Sequence, residues 1–166
     1  MAITSRSVRI VALMVVSCLV ATVVSAQTAI KLPKNKYTPE QDVQIGREGV
    51  AEIRKQYPII QDEKVAAYLK MLGDRLVAAA PAEFKKPVYE ESVTPVNLKG
   101  INAVALPRGP MFVHRGMFAA AANEAEVVGV MAHELSHVLL RHGTANATKA
   151  SNPWLQIGQM AGQIGG

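Results

Sequence analysis

Two histidines four residues apart, with a glutamate directly after the first, are the residues of this chain best suited to chemistry: His133-Glu134-Leu135-Ser136-His137. On an α-helix, positions i and i+4 share a face one turn apart, so both imidazoles can converge on one metal ion. Imidazole nitrogens at that spacing suit zinc. Glu134 stands where its carboxylate reaches a water in an open coordination position and takes its proton as the water attacks a carbonyl. This is the layout of a zinc peptidase. A bare H-E-x-x-H also arises by chance, its histidines then being ordinary surface or core residues. Here the motif is backed by Val127, Val130, Met131, Val138 and Leu139, which would bury the helix and hold the ligands rigidly.

The helix that must carry these residues runs from about Glu124 to Arg141. Asn123 and Glu126 form a capping box at its start, and Gly143 stands just past its end. Two helices come earlier in the chain. Thr38-Pro39-Glu40-Gln41 starts the first, whose inner stripe is Val43, Gly46, Val50 and Ile53, and Pro58 stops it. Asp62 caps the second, with a stripe of Val65, Leu69, Leu72 and Leu76 ending before Pro81. Their carboxylates read as solvated faces. From Pro87 the period shortens: Val88 to Val93, Ile101 to Leu106 and Met111 to His114 read as strands, the last two joined into a hairpin by Pro107-Arg108-Gly109-Pro110. Which strand lies at the sheet edge is open at this level. Thr144 to Ser151 is polar and small, and Trp154 to Gly166 is apolar and glycine-rich, allowing a weak amphipathic helix packed on the core or on a membrane surface.

The expected architecture is an α+β domain of the zincin type. It has two N-terminal helices, a small sheet with a hairpin, then the metal helix. A chain of 166 residues, 49% apolar, suffices for one domain with a real core. Arg6 and Arg9 precede an apolar run from Ile10 to Val24, and Val24-Ser25-Ala26 offers a cleavage site, so residues 1–26 read as an export signal. The expected division is 1–26 signal peptide, 27–37 polar lead-in, 38–143 peptidase domain and 144–166 incomplete tail. Cys18, the only cysteine, lies in the signal, so the mature chain would form no disulfide. The alternative is a lipoprotein anchored through Cys18. Without Arg6 and Arg9, 16 basic residues face 13 acidic ones, about +3 against +5 for the whole chain. With 5% aromatics and no basic cluster, nothing resembles a nucleic-acid footprint.

Further motifs narrow the reading. Ile101-Asn102-Ala103-Val104-Ala105-Leu106-Pro107, Met111-Phe112-Val113-His114-Arg115-Gly116, and Asn123-Glu124-Ala125-Glu126 running into Gly129-Val130-Met131-Ala132-His133-Glu134-Leu135-Ser136-His137, with Arg141-His142 after it, are similar to the zinc metallopeptidases that include HtpX, BepA and the Oma-type mitochondrial proteases, peptidase family M48. The resemblance covers roughly Thr38 to His142. With a signal peptide ahead, it looks like the periplasmic branch of envelope quality-control proteases, whose members often act as chaperones too.

The resemblance implies His133 and His137 as zinc ligands, Glu134 as general base, one zinc per chain and polypeptide substrates, misfolded envelope proteins among them, lying along a strand near the metal helix. Contact with a membrane surface is also expected. The family takes its third ligand from a glutamate on a later helix. After Glu126 the only acidic residue here is Glu134, so no third protein ligand is found and the chain is expected to be a truncated member. His142, five residues after His137, would point about 140° away on a continuing helix and would serve only if the helix unwound. The pattern H-E-x-x-H-x-x-G-x-x-H is closed, since Leu140 and Gly143 hold its last two positions. His114 is a neighbour of the site or an exposed strand residue. The rival function is a catalytically incomplete, chaperone-like binding protein of the same fold.

Overall fold

A computed structural model of the chain describes residues 30–85 and 92–150. The expected signal with Cys18, the strand positions 88–91 and the tail from Ser151 lie outside the described residues. All the elements below belong to one compact body that begins at Leu32.

The first helix, α1 (Pro39–Gln56), starts as its sequence asks. The Thr38 hydroxyl accepts from the Gln41 N–H, the Gln41 side chain accepts from the Thr38 N–H, and Pro39 occupies the first turn. Asp42, Ile45, Gly46 and Ile53 form its buried stripe. α2 (Glu63–Ala79) is capped by Asp62, which accepts from the N–H groups of Lys64 and Val65, and it buries Leu69 and Leu72. A 3₁₀ turn (Ala82–Phe84) follows.

Three strands come next: β1 (Ser92–Val96), β2 (Ala103–Ala105) and β3 (Pro110–His114). The first strand runs on to Val96, past the Val93 at which its apolar run is expected to end, and it contains Pro95. A proline is tolerated on an outer strand. β3 is central, parallel to β1 and antiparallel to β2. Ile59 bridges to Val96 on the far side of β1, while Ile60 donates to Pro95 and Asn97 donates to Pro58. One outer edge of the sheet is thus occupied.

The hairpin closes through a turn in which the Gly109 N–H donates to Leu106, with Pro107 second and Arg108 third. Arg108 has φ 84°, a region that favours glycine, and Gly109 has φ 125°.

Alternation along the strands sorts two cores. Ala103, Ala105, Met111 and Val113 face Leu72 of α2 and the buried stripe of α4 (Glu124–Leu139). Val104, Leu106 and Phe112 face Ile53 of α1. The result is three layers, with α1 on one side of the sheet and α2 with α4 on the other. Gly46 permits the first contact, because a Cβ there would stand 2.1 Å from the Pro107 carbonyl oxygen.

After β3 the short α3 (Arg115–Ala120) leads to Asn123, whose side chain accepts from the Glu126 N–H; the Glu126 carboxylate accepts from Ala122 rather than from the cap residue. The capping box is therefore shifted by one residue on its return bond. α4 buries Val127, Met131, Leu135, Val138 and Leu139, each contributing about 1.5–3 kcal/mol over exposure, which outweighs the roughly 1 kcal/mol cost of Gly129 in its interior. Val130, expected to back the motif, is instead 39% exposed, since it falls outside the buried stripe.

α4 ends earlier than expected. Leu140 caps it, and Arg141 takes the left-handed conformation with φ 57°. Gly143, expected past the end of the helix, lies inside a further helix, α5 (His142–Lys149), over residues whose sequence reads as polar and small. An ion pair holds the break. Arg141 Nε donates to Asp42 Oδ2 at 2.6 Å and Nη2 donates to the Tyr37 carbonyl at 2.6 Å, offsetting the roughly 1–2 kcal/mol that a left-handed non-glycine residue costs. Ala145 and Ala147 are fully buried on α5, and Asn35 donates to Thr144 while the Lys36 N–H donates to Thr148. Among the described residues, no helix is long and apolar enough to cross a membrane.

Candidate active site

The free geometry of β2 sets the site. In an antiparallel pair, alternate residues turn their N–H and C=O groups toward the partner strand. The Leu106 N–H donates to Pro110 and the Asn102 carbonyl accepts from His114, so even positions of this strand serve β3 and odd ones face outward. Outward lies α4. The Ala105 N–H donates to Glu134 Oε2 at 3.2 Å, tying the glutamate of the motif to the sheet edge. A groove of about 410 Å³ runs there, lined by Ala103, Ala105, Glu134, His137, His142 and Asn146 among others.

α4 brings the expected metal residues together. His133 Nε2 and His137 Nε2 lie 3.1 Å apart, their rings edge to face. A tetrahedral ion with bonds of about 2.0–2.1 Å holds two nitrogens about 3.3 Å apart, so this pair fits two corners of a zinc site with little movement. Both rings are exposed and within reach of an incoming ion, while Leu135 is buried and anchors the helix between them. Among the described residues no group of three or more His, Cys, Asp and Glu side chains is set to hold a metal.

His142 departs from the expectation of a helix that carries it away from the site. Because α4 unwinds at Arg141, its ring swings back beside His137, with Nδ1 to Nδ1 at 3.0 Å and ring centres 4.9 Å apart. Burial, then the neighbouring His137 and Lys149, push its imidazole below the usual histidine value. His114 is fully buried rather than an exposed strand residue, and it does not line the groove. The bond from the Ala105 N–H to Glu134 escapes side-chain reasoning, since only the strand register reveals it.

Comparison with known proteins agrees with this geometry. The model of the family described as Peptidase family M48 matches residues 63–165, more than half of the chain. The beta-barrel assembly-enhancing protease of Escherichia coli (strain K12) is 36% identical over 102 residues, 61% of this chain and 20% of that protein. The protein of the same name from Yersinia pestis is 36% identical over 103 residues, 62% of this chain and 20% of its own length. A putative one from Vibrio cholerae is 35% identical over 105 residues, 63% and 21% respectively. The chain spans about a fifth of the length of the curated relatives it matches. The matched stretch holds the hairpin, its outward edge and the whole H-E-x-x-H helix, and on that footing the chain belongs to peptidase family M48, a family of metallopeptidases.

Proposed function

We propose that this chain is an exported zinc metalloendopeptidase that hydrolyses peptide bonds in protein quality control of the cell envelope. The observation that carries the reading is the meeting of Glu134 with the Ala105 N–H beside the paired Nε2 atoms of His133 and His137. His133 and His137 would hold the ion. Zinc, when bound, polarises the scissile carbonyl and the attacking water. Glu134 takes the water's proton and passes it to the leaving amine, with no covalent intermediate on the protein. An extended polypeptide adds to the outward edge of β2 by main-chain hydrogen bonds, its carbonyl replacing Glu134 at the Ala105 N–H. That exchange frees the carboxylate as substrate arrives.

The envelope assignment is supported by the relatives' name, beta-barrel assembly-enhancing protease, and by residues 1–26, read as an export signal. The destination is the periplasm or the periplasmic face of the outer membrane, with lipidation at Cys18 as the alternative anchor. A second reading, a chaperone-like binding protein of the same fold, is favoured by the outward edge of β2, which faces the groove and can take an extended client strand without any metal. Zinc analysis of the purified chain separates the two. One zinc per chain, lost in His133→Ala and in His137→Ala, is expected of the peptidase. A chain that carries no zinc would leave only the binding role.

A further inference from the structure

The two ring nitrogens of His137 face opposite ways in the site. Nε2 meets His133 Nε2 at 3.1 Å, on the side where an ion is held, while Nδ1 meets His142 Nδ1 at 3.0 Å on the far side. A nitrogen that binds a metal carries no proton, so a His137 ligating through Nε2 keeps its proton on Nδ1. That proton needs an acceptor. Among the described residues the group within reach is His142 Nδ1, which accepts only when its own proton is on Nε2. Metal-binding histidines ordinarily have a carboxylate, carbonyl or water in this role, fixing tautomer and ring angle.

We infer that His142 is a positioning residue of the metal site: its Nδ1 accepts the Nδ1–H of His137 and so holds His137 in the tautomer and orientation that present Nε2 to zinc. This rests on the zinc reading above. The chain is built to deliver it. Five residues past His137, His142 would face away on a continuous helix, and it returns only because Arg141 breaks α4 in a left-handed turn anchored by Asp42 and the Tyr37 carbonyl. With its Nδ1 engaged behind His137, His142 supports the ligand and is not itself the third one.

The test compares zinc affinity, by chelator competition on the full chain, for the parent, His142→Ala, His142→Asn and His133→Ala. The Asn Oδ1 stands where the imidazole Nδ1 stood and can only accept. The expected result is about a 10–100-fold loss of zinc affinity in His142→Ala, recovery to within a few-fold of parent in His142→Asn, and loss of zinc in His133→Ala. Nitrogen-15 NMR of the zinc-loaded parent should show His142 as the Nε2–H tautomer and His137 as Nδ1–H, a readout that needs no variant to fold. Parent affinity in His142→Ala, or an Asn variant no better than Ala, would overturn the inference. So would both variants falling to the level of His133→Ala, which would make His142 a ligand. Zinc bound equally by His133→Ala would remove the zinc reading itself.

Discussion

Glu134 makes one bond and is proposed to do one piece of chemistry, and only the chemistry is legible in the sequence. Its place after His133 points to proton transfer at a metal-held water; its bond to the Ala105 N–H depends on strand register, which no local pattern records. His142 shows the converse limit. Helical projection sends it away from the site, and the backbone of a single residue, Arg141 at φ 57°, brings it back. Arginine carries no signal for that conformation, because the interactions that hold it come from Asp42, ninety-nine residues earlier.

Single residues also set a pH response at the start of α1. Hydrogen bonds from the backbone and from Thr38 hold the exposed Glu40 carboxyl below its ordinary value. The folded state therefore binds that proton less readily than the unfolded chain. Its stabilising effect is present above the unfolded value and is lost as pH falls through the lower, folded one. Denaturation midpoints of the parent and Glu40→Gln should differ at pH 7 and converge in acid below the ordinary carboxylate range. A gap that stayed constant with pH would contradict the assignment.

At the scale of elements, caps and stripes are readable where local chemistry decides. Thr38 with Gln41, Asp62, and Asn123 all start helices as their sequences ask. β1 and α5 are not. Pro95 looks like an interruption until the sheet order places β1 on the outside, and the polar, small residues of α5 name no element until Ala145 and Ala147 are seen to be buried. Two glycines on helices give opposite predictions. Gly46→Ala drives a methyl into the Pro107 carbonyl and should destabilise by about 1–3 kcal/mol, since the backbone there cannot yield as a flexible side chain would. Gly129→Ala meets nothing within 4 Å and should stabilise by about 0.5–1 kcal/mol. Urea unfolding of the two variants checks both signs at once. Arg141→Ala removes the ion pair to buried Asp42 and the bond to the Tyr37 carbonyl and should cost about 1.5–3 kcal/mol, with zinc affinity falling as the turn before His142 loosens. Unchanged stability would show that the turn stands without the ion pair.

At the scale of the molecule, three layers hold one helix against one strand edge. α1 covers one face of the sheet, α2 and α4 cover the other, the outer side of β1 is bridged by Ile59, and β2 turns its outer side to the groove. The α+β class follows from the alternation of periods along the chain. Strand order does not, because it is decided by which faces pair after the chain has folded back. The family is legible because its chemistry is local, five consecutive residues on one helix.

The most direct test of the peptidase reading is cleavage of an unfolded polypeptide such as casein by the zinc-loaded full chain and by Glu134→Gln, with zinc content measured on both. The expected result is cleavage by the parent and a rate lower by about 100–10,000-fold in the variant at equal zinc content, the range a general base contributes. A variant that cuts at the parent rate, or a zinc-loaded parent that does not cut at all, would contradict it.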